Sequence, residues 1–91
     1  MNKKEIELAK TGSLPELCRW WEHTFFSHEA QVVLVERQDE DILIEYATHF
    51  SFCKEAQVRM VELRLKKALL QQLQHHPLCA AAQKLLIQTL L

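Results

Sequence analysis

The sequence predicts an all-α fold made of repeated two-helix units, and three observations predict it. Of 91 residues one is Gly and two are Pro, while 48% are apolar and 25% charged; this is ordinary globular composition with little material for the tight hairpins of a β fold. The segment HEAQVVLVE at His28 to Glu36 returns as KEAQVRMVE at Lys54 to Glu62, 26 residues later. Within and around these segments the apolar residues recur at helical spacing.

The 26-residue register extends beyond the two matching segments. Residues 27–52 and 53–78 agree at eight of 26 positions, against roughly two expected from composition alone. Leu17, Leu43 and Leu69 share one slot, His23, His49 and His75 another, and Phe26, Phe52 and Leu78 a third. Ala82-Gln83 continues Ala30-Gln31 and Ala56-Gln57. At 1.5 Å of rise per residue a 26-residue unit holds two helices of about nine to eleven residues and short turns. The chain therefore divides into units 1–26, 27–52 and 53–78 and a half unit, 79–91.

In the first unit Gly12 ends the first helix, and Ser13, Pro15 and Glu16 open the second with a cap, an early proline and a capping-box glutamate. Ile6, Leu8 and Trp20 fall in the slots of Val32, Leu34 and Tyr46. In the second unit Ser27 or His28 starts a helix whose inner face is Ala30, Leu34 and Val35. Asp39 caps the next, with a stripe of Leu43, Ile44, Tyr46 and Ala47 that runs out near Phe50 to Phe52. The third unit lacks a clear internal boundary. Leu63 to Lys67 contains no Gly, Pro, Asp, Asn or Ser, and Val58, Val61, Leu65, Ala68, Leu69 and Leu73 keep a helical stripe across it. Two readings stand, a hairpin or one helix from Lys54 to His75. Pro77 ends whichever forms, and a last helix covers Cys79 to Leu91.

Short tandem two-helix units with a recurring Ala-Gln and periodic Leu, Val and aromatic slots resemble α-solenoid repeats of the HEAT-like and leucine-rich-variant type, and similar units occur in bacterial proteins of unknown role. The resemblance runs from Lys3 to Leu90. It implies a right-handed α-solenoid-like stack of three hairpins plus a C-terminal helix, serving as a surface for other macromolecules. Some HEAT-like proteins bind DNA, and a small nucleic-acid binder is the alternative function. A fold by itself assigns neither role.

The bulk numbers narrow the classes. A net charge of −1 and a pI near 6.5 give no overall attraction to nucleic acid or anionic membrane. The start, MNKKEIELAK, lacks the apolar run of a secretory signal, and nothing approaches the ~20 apolar residues of a membrane helix. Three widely separated cysteines, Cys18, Cys53 and Cys79, fit free thiols in a reducing, cytoplasmic setting. No phosphate-binding glycine loop, HExxH or nucleophile set is present, so no enzyme activity and no cofactor are expected.

The remaining candidates each have two readings. His23, His49 and His75 either bond the last carbonyls of their helices or converge on a metal, which helices 8–10 Å apart make difficult; no metal site is assigned. Cys53 and Cys79, in the slot of Ser27, are either small half-buried residues or thiols activated by a helix N-terminus. Trp21 should point inward with Leu17, leaving Trp20 to form an exposed ridge with Tyr46 suited to a protein partner, or to pack the first hairpin against its neighbour. The units carry charges of 0, −5 and +3, with +1 on the tail, so Glu36, Asp39, Glu40 and Asp41 should face Arg64, Lys66 and Lys67 across neighbouring turns. A terminal repeat normally shows a polar outer face; Leu85, Leu86, Ile87, Leu90 and Leu91 instead leave the last helix apolar. Contact with a protein partner, or a homodimer through that helix, is expected there. The expected interaction residues are Trp20, Tyr46, Leu85, Ile87, Leu90 and Leu91.

Overall fold

The computed structural model describes residues 3–90; Leu91, one of the expected interaction residues, lies outside them. The described residues form seven helices and no strand: α1 (Lys3–Thr11), α2 (Leu14–Trp21), α3 (His28–Glu36), α4 (Glu40–His49), α5 (Lys54–Glu62), α6 (Lys66–His75) and α7 (Ala80–Leu90). Among them no helix is long and apolar enough to cross a membrane.

Local chemistry explains the boundaries. Ser13 donates its amide (3.0 Å) and its hydroxyl (2.9 Å) to Glu16 Oε1 at the start of α2, and Pro15 sits in the first turn, where its missing N–H costs nothing. Ser27 Oγ accepts from the Ala30 amide and Asp39 Oδ1 from the Ile42 amide, at 3.3 and 3.4 Å. Gly12 ends α1 through close approach, not through a left-handed turn. Its amide lies 2.7 Å from the Leu8 carbonyl, and a Cβ there would sit 2.6 Å from that oxygen.

The third unit breaks into two helices, so the continuous Lys54–His75 helix is not formed. The break has no glycine. Arg64 takes φ 58°, and the amides of Arg64 and Leu65 bond back to Val61 and Met60 at 3.1 Å each. These are the two bonds of a Schellman ending, with its usual apolar contact between the residues at either side, here the buried Met60 and Leu65. Gln38, one period earlier, also has φ 58°. The positive φ thus recurs 26 residues apart even though the residue type does not.

Helices α1, α3, α5 and α7 pack each on the next, α4 packs broadly on α6, and α2 touches α4 only lightly. The odd-numbered helices run parallel, because equivalent ends meet. At one end the amide of Cys53, just before α5, bonds Gln31 near the start of α3. At the other, Arg37 Nη1 after α3 donates to the carbonyls of Ala9 and Gly12 at 3.1 and 2.9 Å. Between the two rows lies a core of Leu17, Leu34, Leu43, Met60 and Leu69.

The centre of this core corrects one expectation. Tyr46 is fully buried, with Trp21 at 5.1 Å, Phe52 at 4.7 Å and Phe50 at 5.2 Å between ring centres. Trp20 is half-buried and leans on Phe26. The two therefore form no exposed ridge: α4 lies between α2 and α6, so its share of the slot is covered from both sides. The charged turns also differ from expectation. Glu36 pairs with Arg59 on α5, and among the described residues Asp39, Glu40 and Asp41 form no ion pair with Arg64, Lys66 or Lys67.

Two outcomes test these boundaries. In urea denaturation Arg64→Val should lose about 1–2 kcal/mol, because a β-branched residue is strained at positive φ, whereas Arg64→Gly should stay within about 1 kcal/mol of the native protein. The bonds from Ser13 hold the Glu16 carboxyl below its usual value of 4.5. Their stabilisation is present above that value and fades as pH falls through the lowered one. Glu16→Gln should therefore flatten part of the acid-side loss of thermal stability, read from melting curves between pH 7 and pH 3.

Candidate functional site

Four polar residues stand 26 positions apart: Glu5, Gln31, Gln57 and Gln83. Glutamine carries both a donor and an acceptor, and here both are used. Gln31 Nε2 donates to the Phe26 carbonyl at 2.8 Å, and its Oε1 accepts from the amide of Cys53 at 2.6 Å. Gln57 repeats this with the Phe52 carbonyl at 2.6 Å and the Cys79 amide at 2.7 Å. Each glutamine thus ties the loop entering its own helix to the loop entering the next odd-numbered helix. Glu5, whose carboxylate accepts and does not donate, makes the forward contacts among the described residues, from the amide of Ser27 at 3.1 Å and from its hydroxyl.

Gln83 makes only the backward one. Its Nε2 donates to the Leu78 carbonyl at 2.7 Å, and among the described residues no donor reaches its Oε1. The same change appears one turn on. Ala9, Val35 and Val61 are buried, whereas Ile87 in their slot is 60% exposed. Leu90, three residues further along the same face, is 78% exposed. Gln83, Ile87 and Leu90 follow i, i+4, i+7 spacing and form one stripe. Leu85, also expected at an interaction surface, and its neighbour Leu86 turn inward and are half-buried against the core. Beside the stripe a cleft of about 210 Å³ is lined by Val61, Leu69, Leu86 and Leu90 together with Arg64 and Lys66.

The other candidates lie elsewhere. A larger concavity of about 530 Å³ opens where α2 splays from α4, lined by Cys18, Trp21, Glu22, Glu45, His49 and Phe50. Burial, reinforced by Glu45 and Glu22, pushes the Cys18 thiol up, so it is held as a thiol and is a poor nucleophile. Burial also pushes the Cys53 thiol up, opposite to the activation that a helix N-terminus would give. The recurring histidines do not bond helix carbonyls. His49 Nε2 lies 3.3 Å from Glu45 Oε1 and His75 Nε2 3.3 Å from Gln71 Nε2, all exposed or half-exposed, and these histidines do not come together.

A group that sequence reasoning missed is His28, Cys53 and Glu55, whose ligand atoms lie within 4.8 Å of one another. The signal was available, since His28 follows one cap slot and Cys53 fills the next. Zinc would need these atoms about 2.0–2.3 Å from the metal and a fourth ligand. They also surround two helix N-termini, whose positive ends oppose a cation. No family model, curated protein or solved structure matches the chain.

The double role of the buried glutamines is measurable. Gln57→Ala leaves the Phe52 carbonyl and the Cys79 amide without partners and should cost about 2–4 kcal/mol in chemical denaturation. Gln83→Ala removes a single bond at an exposed site and should cost about 1 kcal/mol or less.

Proposed function

We propose that this chain is a small helical-repeat protein, an α-solenoid-like stack of three 26-residue hairpins and a half unit, that works as a protein-interaction module through the outer face of α7. The observation that carries the reading is the stripe of Gln83, Ile87 and Leu90. The slots of Gln83 and Ile87 are buried in earlier units and exposed here, and Ile87 and Leu90 are apolar where a free edge would ordinarily be polar. The opposite edge is different in kind: Lys3, Lys4, Glu7 and Lys10 are exposed on α1, and Lys4 fills the slot that is Ala30, Ala56 and Ala82 elsewhere. An apolar edge at α7 and a charged edge at α1 favour binding at one end only. The middle of the molecule is acidic, which argues against a nucleic-acid surface there.

Tagged protein should capture a specific partner from its native cells, and the double variant Ile87→Asp, Leu90→Asp should lose it while Glu40→Lys retains it. Both changes to the stripe are at exposed positions and should leave the melting temperature within a few degrees. Equal capture by all three proteins would remove α7 as the interaction face. Sedimentation of the same samples measures self-association through α7, the other way of covering the stripe.

A further inference from the structure

We infer that the α7 edge is an unfilled copy of the internal helix-to-helix interface, and that its occupant is an α-helix of another polypeptide lying parallel to α7, with the backbone N–H of its N-cap residue donating to Gln83 Oε1. This rests on the interaction reading above and specifies the partner's chemistry. The repeating geometry supplies the argument. Amides of Ser27, Cys53 and Cys79, each the residue before a helix, are accepted in turn by Glu5, Gln31 and Gln57. Gln83 is already oriented by its bond to Leu78, leaving the corresponding acceptor open.

The features of the three internal occupants define the missing one. Each enters through a small cap residue preceded by a large apolar one, Phe26-Ser27, Phe52-Cys53 and Leu78-Cys79. Each places a fully buried alanine three residues after the cap, Ala30, Ala56 or Ala82, and α3, α5 and α7 place Leu34, Met60 and Leu86 seven after it. A second copy fits poorly. Its α1 would bring Lys4 to the alanine slot, and a twofold pairing of α7 with itself supplies no N-cap amide, since each Gln83 would face a helix flank.

The test uses the 91-residue protein and a peptide with the required features, the acetylated and amidated segment 26–38 (FSHEAQVVLVERQ). Titration followed by 15N and methyl NMR should shift the Gln83 side-chain amide and the Ile87 and Leu90 methyls, leaving the Cys18 to Glu22 region unmoved. The decisive pair is Ser27→Ala against Ser27→Pro in the peptide. Both lose the capping hydroxyl, but only proline lacks the N–H, and its φ near −65° matches the −63° of Ser27. The proline peptide should bind roughly five- to tenfold more weakly than the alanine peptide, the effect of one hydrogen bond. Gln83→Leu in the protein should erase that difference. Equal affinities of the two peptides, shifts away from α7, no shift at millimolar peptide, or dimerisation of the protein alone through α7 would each overturn the inference. Loss of cellular capture by the stripe variant, together with equal peptide affinities, would reject the N-cap contact while leaving the interaction reading standing.

Discussion

The arrangement depends on a buried side-chain amide that satisfies two backbone groups at once. The first N–H groups of any helix lack partners within it, and a loop buried between helices carries further unpaired groups whose desolvation costs about 1–3 kcal/mol each. Gln31 and Gln57 answer both needs with one residue, one end taking the carbonyl of the entering loop and the other the amide of the next. Glu5, which supplies only the acceptor, makes the forward tie to Ser27. A leucine of similar size would supply neither.

That bridge relaxes other demands. The amides before α3, α5 and α7 are held from outside, which fixes how the chain enters each helix whatever the cap side chain does. Ser27 accepts a bond from its own helix, but Cys53 caps α5 with no such side-chain bond. The cysteines recurring at this slot are therefore accounted for by size: they are half-buried, and a thiol costs little to bury. The parallel course of the odd-numbered helices follows too, since a side chain near the start of one helix reaches only an amide that starts its neighbour.

Much of this was legible in the sequence. The all-helical class, the Gly12 to Glu16 boundary, the Ser27 and Asp39 caps and the inward Trp21 depend on nearest neighbours along the chain, and the residue types announce them. The third boundary was hidden because Arg64 adopts positive φ in a Schellman turn without the glycine that usually marks one, and the burial of Leu65 that accompanies it is a tertiary fact. Tyr46 was misplaced for a related reason. A slot fixes which way a side chain points within its unit, while its exposure depends on what lies on either side, so Trp20 and Tyr46 share a slot and differ in burial. The stripe on α7 was partly legible: Ile87 and Leu90 read as apolar excess, but Leu85 and Leu86 belong to the core, and Gln83 gains meaning only once the bonds of Gln31 and Gln57 are seen.

Magnitudes bound what the α7 edge can do. Covering Ile87 and Leu90 gains about 1.5–3 kcal/mol for each side chain, and completing the Gln83 bridge adds about 1 kcal/mol. Association itself costs an estimated 4–15 kcal/mol in lost freedom, before any ordering of the partner helix. These terms nearly cancel, so a lone helix on this stripe binds weakly and exchanges quickly. Tight binding requires the partner to extend its contact beyond the stripe, and the cleft beside Leu86 and Leu90, with Arg64 and Lys66 on its wall, is the adjoining surface. Specificity follows a different route. A helix that docks without offering its N-cap amide leaves the Gln83 acceptor covered and unpaired, and that penalty, about as large as the gain from either apolar side chain, selects the way the helix enters, which non-directional apolar contacts do not.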